Sequence, residues 1–322
     1  MESGPATRLR PFCWDDLEPL VALMACCEEE DRTGEAIQPE IVRLGFTTPG
    51  RDPEKTVQLL EDESGELIAS CSAWPTPGLE IDTIQIGARI HPAYRSADLY
   101  TSLLGLAEER ARTLHVPSGR PTELQSNVKS RPAMWRDAVD AAGYAPVRWF
   151  IDMRRALRDE LPEPRIPDGF TIRFLDSGIE PLDLKHALDE AFLDHWNPQE
   201  ITDEQFLHWT SSTVFRADLS AVALDASGRV VGGTIGVVRD VDSRAGEREA
   251  RVEVLGVRKA FRGRGLGRAL LATCFAKMSA GGMVLVSLDV DADNPTGATG
   301  LYRSVGFEER DRVTVCAKPF AA

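Results

Sequence analysis

The 322-residue chain has no run of about 18 consecutive apolar residues, the length a membrane-spanning helix needs. Its opening, Met1-Glu2-Ser3-Gly4-Pro5, lacks a basic region followed by an apolar stretch, so no secretory leader and a cytoplasmic location are expected. Positive charge is scarce: 37 Lys and Arg stand against 51 Asp and Glu, a net charge of −14. That balance argues against nucleic acid or an anionic membrane as partner. The six cysteines, Cys13, Cys26, Cys27, Cys71, Cys274 and Cys316, contain no CxxC pair and no zinc-like grouping with histidine, so no metal is expected. Their apolar or helical surroundings suit buried thiols acting as small hydrophobes in a reducing compartment. Two further patterns are incomplete. Asp289, Asp291 and Asp293 are spaced like the first ligands of a calcium loop, but Asn294 stands where Gly is needed and Gly300 where Glu is needed. Arg262-Gly263-Arg264-Gly265 is not followed by the Lys-Ser/Thr pair of a nucleotide P-loop.

What remains is an ordinary globular composition, 43% hydrophobic and 27% charged, in a chain long enough for two domains. Residues 158–169 hold three prolines and read as a linker, leaving domains at 1–157 and 170–322. Both halves begin alike. Thr7–Arg10 and Thr171–Phe174 read as strands, and acidic amphipathic helices follow over 15–30 and 181–192. Ala221–Leu224 and Val230–Val238 flank a turn at Asp225–Gly228 and read as a hairpin. Strands are expected at 251–257 and 283–290, with a helix from Arg268 to about Ala280 between them. Strands interleaved with helices indicate an α/β class, an α+β mixed sheet in each half.

One strand–loop–helix unit carries the chemistry. The apolar strand ending Leu255-Gly256-Val257 runs into Arg262-Gly263-Arg264-Gly265-Leu266-Gly267-Arg268, and a helix begins at once. Glycines allow a tight bend that presents successive N–H groups, and a helix N-terminus adds partial positive charge, so the turn suits a pyrophosphate. Downstream come Asn294 and then Gly300-Leu301-Tyr302-Arg303-Ser304-Val305-Gly306-Phe307. An internal repeat accompanies it. Tyr94, Arg95 and Leu99 align with Phe261, Arg262 and Leu266, and Gly143-Tyr144 with Gly306-Phe307. Ser96, Asp98 and Tyr100 fall where the second half has Gly263, Gly265 and Gly267. Their side chains, and the charge of Asp98, oppose phosphate.

The two segments resemble the acyl-CoA site of the GNAT N-acetyltransferases, whose coenzyme loop reads Gln/Arg-x-x-Gly-x-Gly/Ala, and whose Asn and Tyr precede a Gly-Phe pair. In layout the chain resembles tandem-GNAT acetyltransferases of the mycothiol synthase type. The resemblance implies two tandem GNAT-type domains, the first degenerate and non-catalytic. It implies acetyl-CoA as acyl donor and a primary amine of a small molecule as acceptor, with direct attack in a ternary complex. Leu255, Gly256 and Val257 would take the pantetheine arm by main-chain pairing, with Gly256 helping the strand bulge. Arg262, Gly263, Arg264, Gly265, Leu266, Gly267, Arg268 and Asn294 would hold the rest of the coenzyme. Tyr302 would be the general acid, since a phenol keeps its proton at neutral pH. Glu253, two residues before Leu255 and so on its strand face, would be the base. Asp194, His195, Trp196 and Trp209 would border the acceptor pocket, where acidic and aromatic groups suit a cationic or sugar-like amine. For Glu253 and for these four a purely structural role stands beside the functional one. An acetyl-CoA sensor and a protein N-acetyltransferase are the alternative readings. Either a monomer or a homodimer is consistent with domain pairing inside one chain.

Overall fold

A computed structural model describes residues 7–158, 160–239, 248–294 and 296–320; Met1-Glu2-Ser3-Gly4-Pro5, Asp159 of the linker and Pro295 lie outside them. In chain order the elements begin with β1 (Arg8–Pro11), α1 (Leu17–Asp31), α2 (Pro39–Phe46), α3 (Pro53–Thr56), β2 (Val57–Glu61), β3 (Leu67–Thr76) and β4 (Asp82–Ile90). They continue with α4 (Ala97–Leu114), β5 (Thr122–Val128), α5 (Ala133–Ala141), β6 (Ala145–Ala156), β7 (Phe170–Phe174), α6 (Pro181–Phe192) and α7 (Asp203–Thr210). β8 (Ala221–Asp225), β9 (Val230–Arg239), β10 (Glu249–Val257), α8 (Leu266–Ala280), β11 (Leu285–Asp291), α9 (Ala298–Ser304) and β12 (Glu308–Pro319) complete the chain. The α/β class with mixed sheets therefore holds.

Two compact units form, and their limits do not follow the linker. One comprises residues 1–149 with 312–322, the other residues 150–311. The first unit's sheet runs β1, β2, β3, β4, β5 and then β12, whose Thr314–Pro319 pair antiparallel with β5. The second unit's sheet runs β6, β11, β10, β9, β8, β7, and Phe150–Ala156 of β6 pair antiparallel with β11. Each unit thus takes a strand from beyond a boundary drawn at residue 157. No local signal marks this, because partners such as Val128 and Thr314 are far apart in sequence.

In the second unit the expected hairpin is β8–β9, with Val222 opposite Gly233. β10 and β11 run parallel, so the chain must cross over between them, and α8 is that crossover. Strand alternation separates two cores. Ala221, Ala223, Ala250 and Val252 face the α8 side with Leu270, Phe275, Val286 and Leu288. Val222, Val230 and Ile235 face α6 and α7 with Leu184, Leu188 and Phe206. Gly233 and Gly256 stand directly opposite each other on β9 and β10. A Cβ on Gly233 would lie 2.6 Å from Leu184 Cδ1, and one on Gly256 2.8 Å from Leu188 Cδ2 and 3.1 Å from Ala191 Cβ. The glycine pair is a notch into which α6 settles against the sheet.

Candidate active site

The sheet of the second unit is forked. β10 pairs with β11 only over Glu249–Arg251, whereas its pairing with β9 runs the length of the strand. From Val252 to Val257 one edge of β10 keeps backbone N–H and C=O groups that no described strand takes up. At the apex Arg251, 7% exposed, forms an ion pair with Asp289 of β11.

The β9–β10 register slips between Val252 and Val254, so Glu253 is the extra residue of a bulge. The bulge resets the alternation. Val252 packs on the α8 core and so do Leu255 and Val257, three and five residues on, while Val254 turns to the α6 core. The expectation that Glu253 shares a face with Leu255 and Val257 by simple alternation is therefore corrected. Its Oε1 takes the guanidinium groups of Arg239 at 2.9 Å and Arg251 at 3.2 Å. The bulge also sits three residues before Gly256, which serves the packing of α6 instead.

Beyond β10 the loop turns on two left-handed glycines, Gly263 (φ +74°) and Gly265 (φ +86°), a region costly for residues with a Cβ. Gly265 is the N-cap of α8, and no side chain caps that helix, so its first N–H groups remain available. Nothing lies within 4 Å of where a Gly263 Cβ would stand, and only Pro167 Cγ, at 4.0 Å, approaches that of Gly265. Gly267 lies against Leu301 of α9, 3.0 Å from where its Cβ would be. Leu266 is buried in the α8 core, Arg264 lies over the Phe261 ring, and Arg268 donates to the Ser304 carbonyl at the end of α9. Asn294 Oδ1 accepts from the Thr296 N–H at 2.8 Å, shaping the turn before α9.

Arg262 is a staple. Its Nε donates to Val257 O (3.1 Å), Nη2 to Ala191 O (2.6 Å), and Nη1 meets Asp194 Oδ2 (3.2 Å). The loop is thereby tied both to the end of β10 and to the end of α6. Asp194 also meets Lys259 at 3.3 Å, and Lys259 with Arg262 lowers its pKa. The structure brings Asp194 to the cradle arginine. His195 stacks on Phe192 with ring centroids 4.2 Å apart, and Trp196 is half-buried in the same turn. Trp209 packs edge-on to Phe206 and Phe215 within the α6–α7 core, which is a packing role.

Tyr302, on α9, is 7% exposed and belongs to the same apolar cluster as Val252, Val290 and Phe307, with Leu255 packed against it. Burial pushes its phenol up to about 12. Cys274 is fully buried in α8 beside Thr234, and burial raises its thiol to about 11, unsuited to nucleophilic attack. One contributor carries no local sequence signal. Arg155 of β6 is buried over the Phe275 ring and donates to Val305 O, just after the helix bearing Tyr302, and to Glu160 O in the linker. Among the described residues no group of acidic, histidine or cysteine side chains could hold a metal ion, and no helix is long and apolar enough to cross a membrane.

The first unit repeats the staple and loses the cradle. Arg95 Nε donates to Ile90 O at 3.2 Å, and its other nitrogens grip Asp31 at 2.7 Å each. Ser96 and Asp98 replace the left-handed glycines, and here α4 begins at Ala97, two residues earlier than α8 in the aligned frame. Ser96 fills the helix N-terminus itself, accepting from the Leu99 N–H at 3.2 Å.

A mixed sheet forked beside an uncapped, glycine-turned helix is the arrangement found here, and the chain is similar to known acetyltransferases. The acetyltransferase (GNAT) family model matches residues 182–307. A mycothiol acetyltransferase of Tsukamurella paurometabola is 30% identical, over 65% of this chain and 71% of its own. That of Arthrobacter sp. strain FB24 is 28% identical over 92% of this chain and 90% of its own. Among solved structures, a GCN5-related N-acetyltransferase from Sphaerobacter thermophilus aligns with TM-score 0.75 at 27% identity, covering 98% of this chain and 96% of that one. A tandem GNAT protein from the clavulanic acid biosynthesis pathway shares the fold, with TM-score 0.70 at 17% identity over 98% and 99% of the two chains. The chain belongs to the GNAT acetyltransferase family, and its layout is that of the tandem-GNAT members resembling mycothiol acetyltransferase.

Proposed function

We propose that the second unit transfers the acetyl group of acetyl-CoA to a primary amine of a small molecule by direct attack in a ternary complex. By likeness to the mycothiol acetyltransferases, the acceptor is a mycothiol precursor. The observation that carries this reading is the open edge of β10 over residues 252–257 leading directly into the Gly263–Gly265 turn and the uncapped start of α8. An extended amide-bearing arm fits the first by main-chain hydrogen bonds, and a pyrophosphate fits the second. Acetyl-CoA supplies an activated thioester carbonyl. Leu255, Gly256 and Val257 hold the arm through their backbone, and the Gly263–Gly267 segment holds the phosphates through N–H groups. Arg262 acts as a positioning residue, since its own donors are engaged with Val257, Ala191 and Asp194. Tyr302 keeps a proton at its hydroxyl at neutral pH and delivers it to the departing thiolate. Glu253, which also meets Arg239 and Arg251, takes the proton released by the attacking amine as the thioester C–S bond breaks and coenzyme A leaves as the thiol. The first unit, its helix N-terminus filled by Ser96, takes no part in the chemistry.

Calorimetry with acetyl-CoA on the intact chain and on a Gly265→Asp variant, which copies the first unit's Asp98, tests the reading. One site lost in the variant, with turnover of an amine bearing a cysteinyl group on a sugar, is the expected result. Binding that survives the substitution would move the coenzyme elsewhere. Binding without turnover of any amine would favour a sensor.

A further inference from the structure

The first unit contains a cavity of about 420 Å³ that the acetyl transfer does not use. Its origin is a second fork. β4 and β5 pair in parallel from Asp82–Thr122 to Gln85–Gln125, and beyond that point Ile86–Arg89 on one side and Asn127 on the other line the opening. Leu20 and Met24 of α1 with Phe46, Trp74 and Trp135 give it an apolar, largely aromatic wall. Gly87 contributes space: a Cβ there would meet nothing within 4 Å, in contrast to Gly233 and Gly256 of the second unit.

The polar end of this cavity is cationic, in a chain whose net charge is −14. Asp31 is neutralised by Arg95. Glu35 meets both Arg89 (2.6 Å) and Lys129 (3.1 Å), so one cation of that trio is in surplus. Arg131 also lines the cavity and has no partner among the described residues, and the side chains of Gln85 and Asn127 have none either. Beyond Asp31 and Glu35, the acid among the described lining residues is Glu28, whose oxygens already accept from the Thr33 hydroxyl (2.6 Å) and the Gly34 N–H. Burial works to raise the Glu35 pKa, but Arg89 and Lys129 outweigh it and hold it at about 2, so Glu35 stays ionised at ordinary pH.

We infer that this cavity is a second ligand site, separate from the acetyl-CoA site, and that it takes a small aromatic carboxylate. The ring would lie among Trp74, Phe46 and Trp135, and the carboxylate would meet Arg131 and the surplus charge of Lys129 and Arg89. The volume falls at the lower end of the range of about 300–1,000 Å³ typical of small-molecule sites. A pyrophosphate-bearing coenzyme is disfavoured here, because Ser96 caps the neighbouring helix and Asp98 stands in its first turn. The inference does not rest on the activity proposed for the second unit.

The test uses the full chain with 3-phenylpropionate as probe and its neutral amide, 3-phenylpropionamide, as control, read by calorimetry. The carboxylate is expected to bind at least tenfold more tightly than the amide. Gly87→Leu, which fills the cavity without a backbone clash, is expected to abolish binding, and Arg131→Gln to weaken it at least fivefold, with the melting temperature unchanged. Saturating acetyl-CoA is expected to leave binding intact. Should Gly87→Leu fail to fold, Arg131→Gln, at an exposed position, decides alone. No binding, equal binding of acid and amide, unchanged binding in Arg131→Gln, or displacement by acetyl-CoA would each overturn the inference.

Discussion

Replacing Gly265 by Ala separates backbone geometry from side-chain contact at the cradle. Gly265 has φ +86° and ψ 0°, and an added Cβ would find only Pro167 Cγ, at 4.0 Å. No neighbour resists the methyl group, so the cost is backbone strain alone, about 1–3 kcal/mol for a non-glycine residue held there. The lower entropy of an unfolded chain carrying Ala offsets about 0.4–1 kcal/mol, leaving about 1–2 kcal/mol. Two measurements divide that sum. If the loop keeps its shape without ligand, the strain falls on the folded state. The melting temperature then drops by about 2–4 °C per kcal/mol, less in a chain this long, and acetyl-CoA affinity is unchanged. If the loop relaxes until the coenzyme arrives, melting is unaffected and Kd rises about 5- to 30-fold by titration calorimetry. Asn tolerates left-handed backbone, so Gly265→Asn should recover most of either loss. Wild-type melting together with wild-type affinity in the Ala variant would refute the claim that this turn needs a left-handed residue. So would an Asn variant as impaired as Ala.

Tyr302→Phe should leave acetyl-CoA affinity intact while lowering kcat about a hundred- to ten-thousand-fold in steady-state assays. Because burial holds the phenol proton to about 12, any alkaline fall of kcat below pH 10 must come from another group. The buried neutral phenol supports folding fully below its unfolded pKa of about 10. That support is lost as pH rises toward 12, a loss that equilibrium unfolding at high pH would reveal. Gly256→Ala should cost about 1–3 kcal/mol by overpacking against Leu188 and Ala191, measurable by urea unfolding. In the first unit, hydrogen bonds from Arg10 hold Asp16 at about 2. Its contribution is present above a pKa of about 3.9 in the unfolded chain and is lost as pH falls through 2. Asp16→Asn should therefore remove on the order of 1–2 kcal/mol at pH 6 and almost nothing at pH 1.5.

The elements around the cradle were readable because each rests on local rules. The β8–β9 hairpin follows from Asp225–Gly228, α6 from its period and Pro181, and α8 from the glycine turn before it. Arg262 was read as a coenzyme ligand because the family motif places it there, yet its guanidinium binds Val257, Ala191 and Asp194. Ala191 and Asp194 are tertiary partners with no trace in the sequence around residue 262. Glu253 shows the same limit from another side. Alternation gives its face only in an unbroken strand, and the slip between Val252 and Val254 depends on how β9 lies beside β10. Trp209, expected to border the acceptor pocket or to pack two helices, lies partly buried against the α6–α7 cluster because α7 folds onto α6. The cavity of the first unit was invisible for a related reason, since Gln85, Gly87, Asn127 and Arg131 converge only when β4 and β5 separate.

The division of the chain into 150–311 and a remainder split between 1–149 and 312–322 has a consequence for how the protein is made. The second unit is one continuous segment and can complete its sheet as soon as residue 311 has left the ribosome. The first unit, although synthesised earlier, cannot. β5 lacks a neighbour on one side until Thr314–Pro319 arrive, nearly two hundred residues after Thr122–Val128 were made. Through that interval it holds an exposed strand edge of the kind that recruits other chains. Closing a pairing of such sequence separation is also slow. The half without the cradle is thus the one whose folding waits longest, and nascent-chain aggregation should begin there.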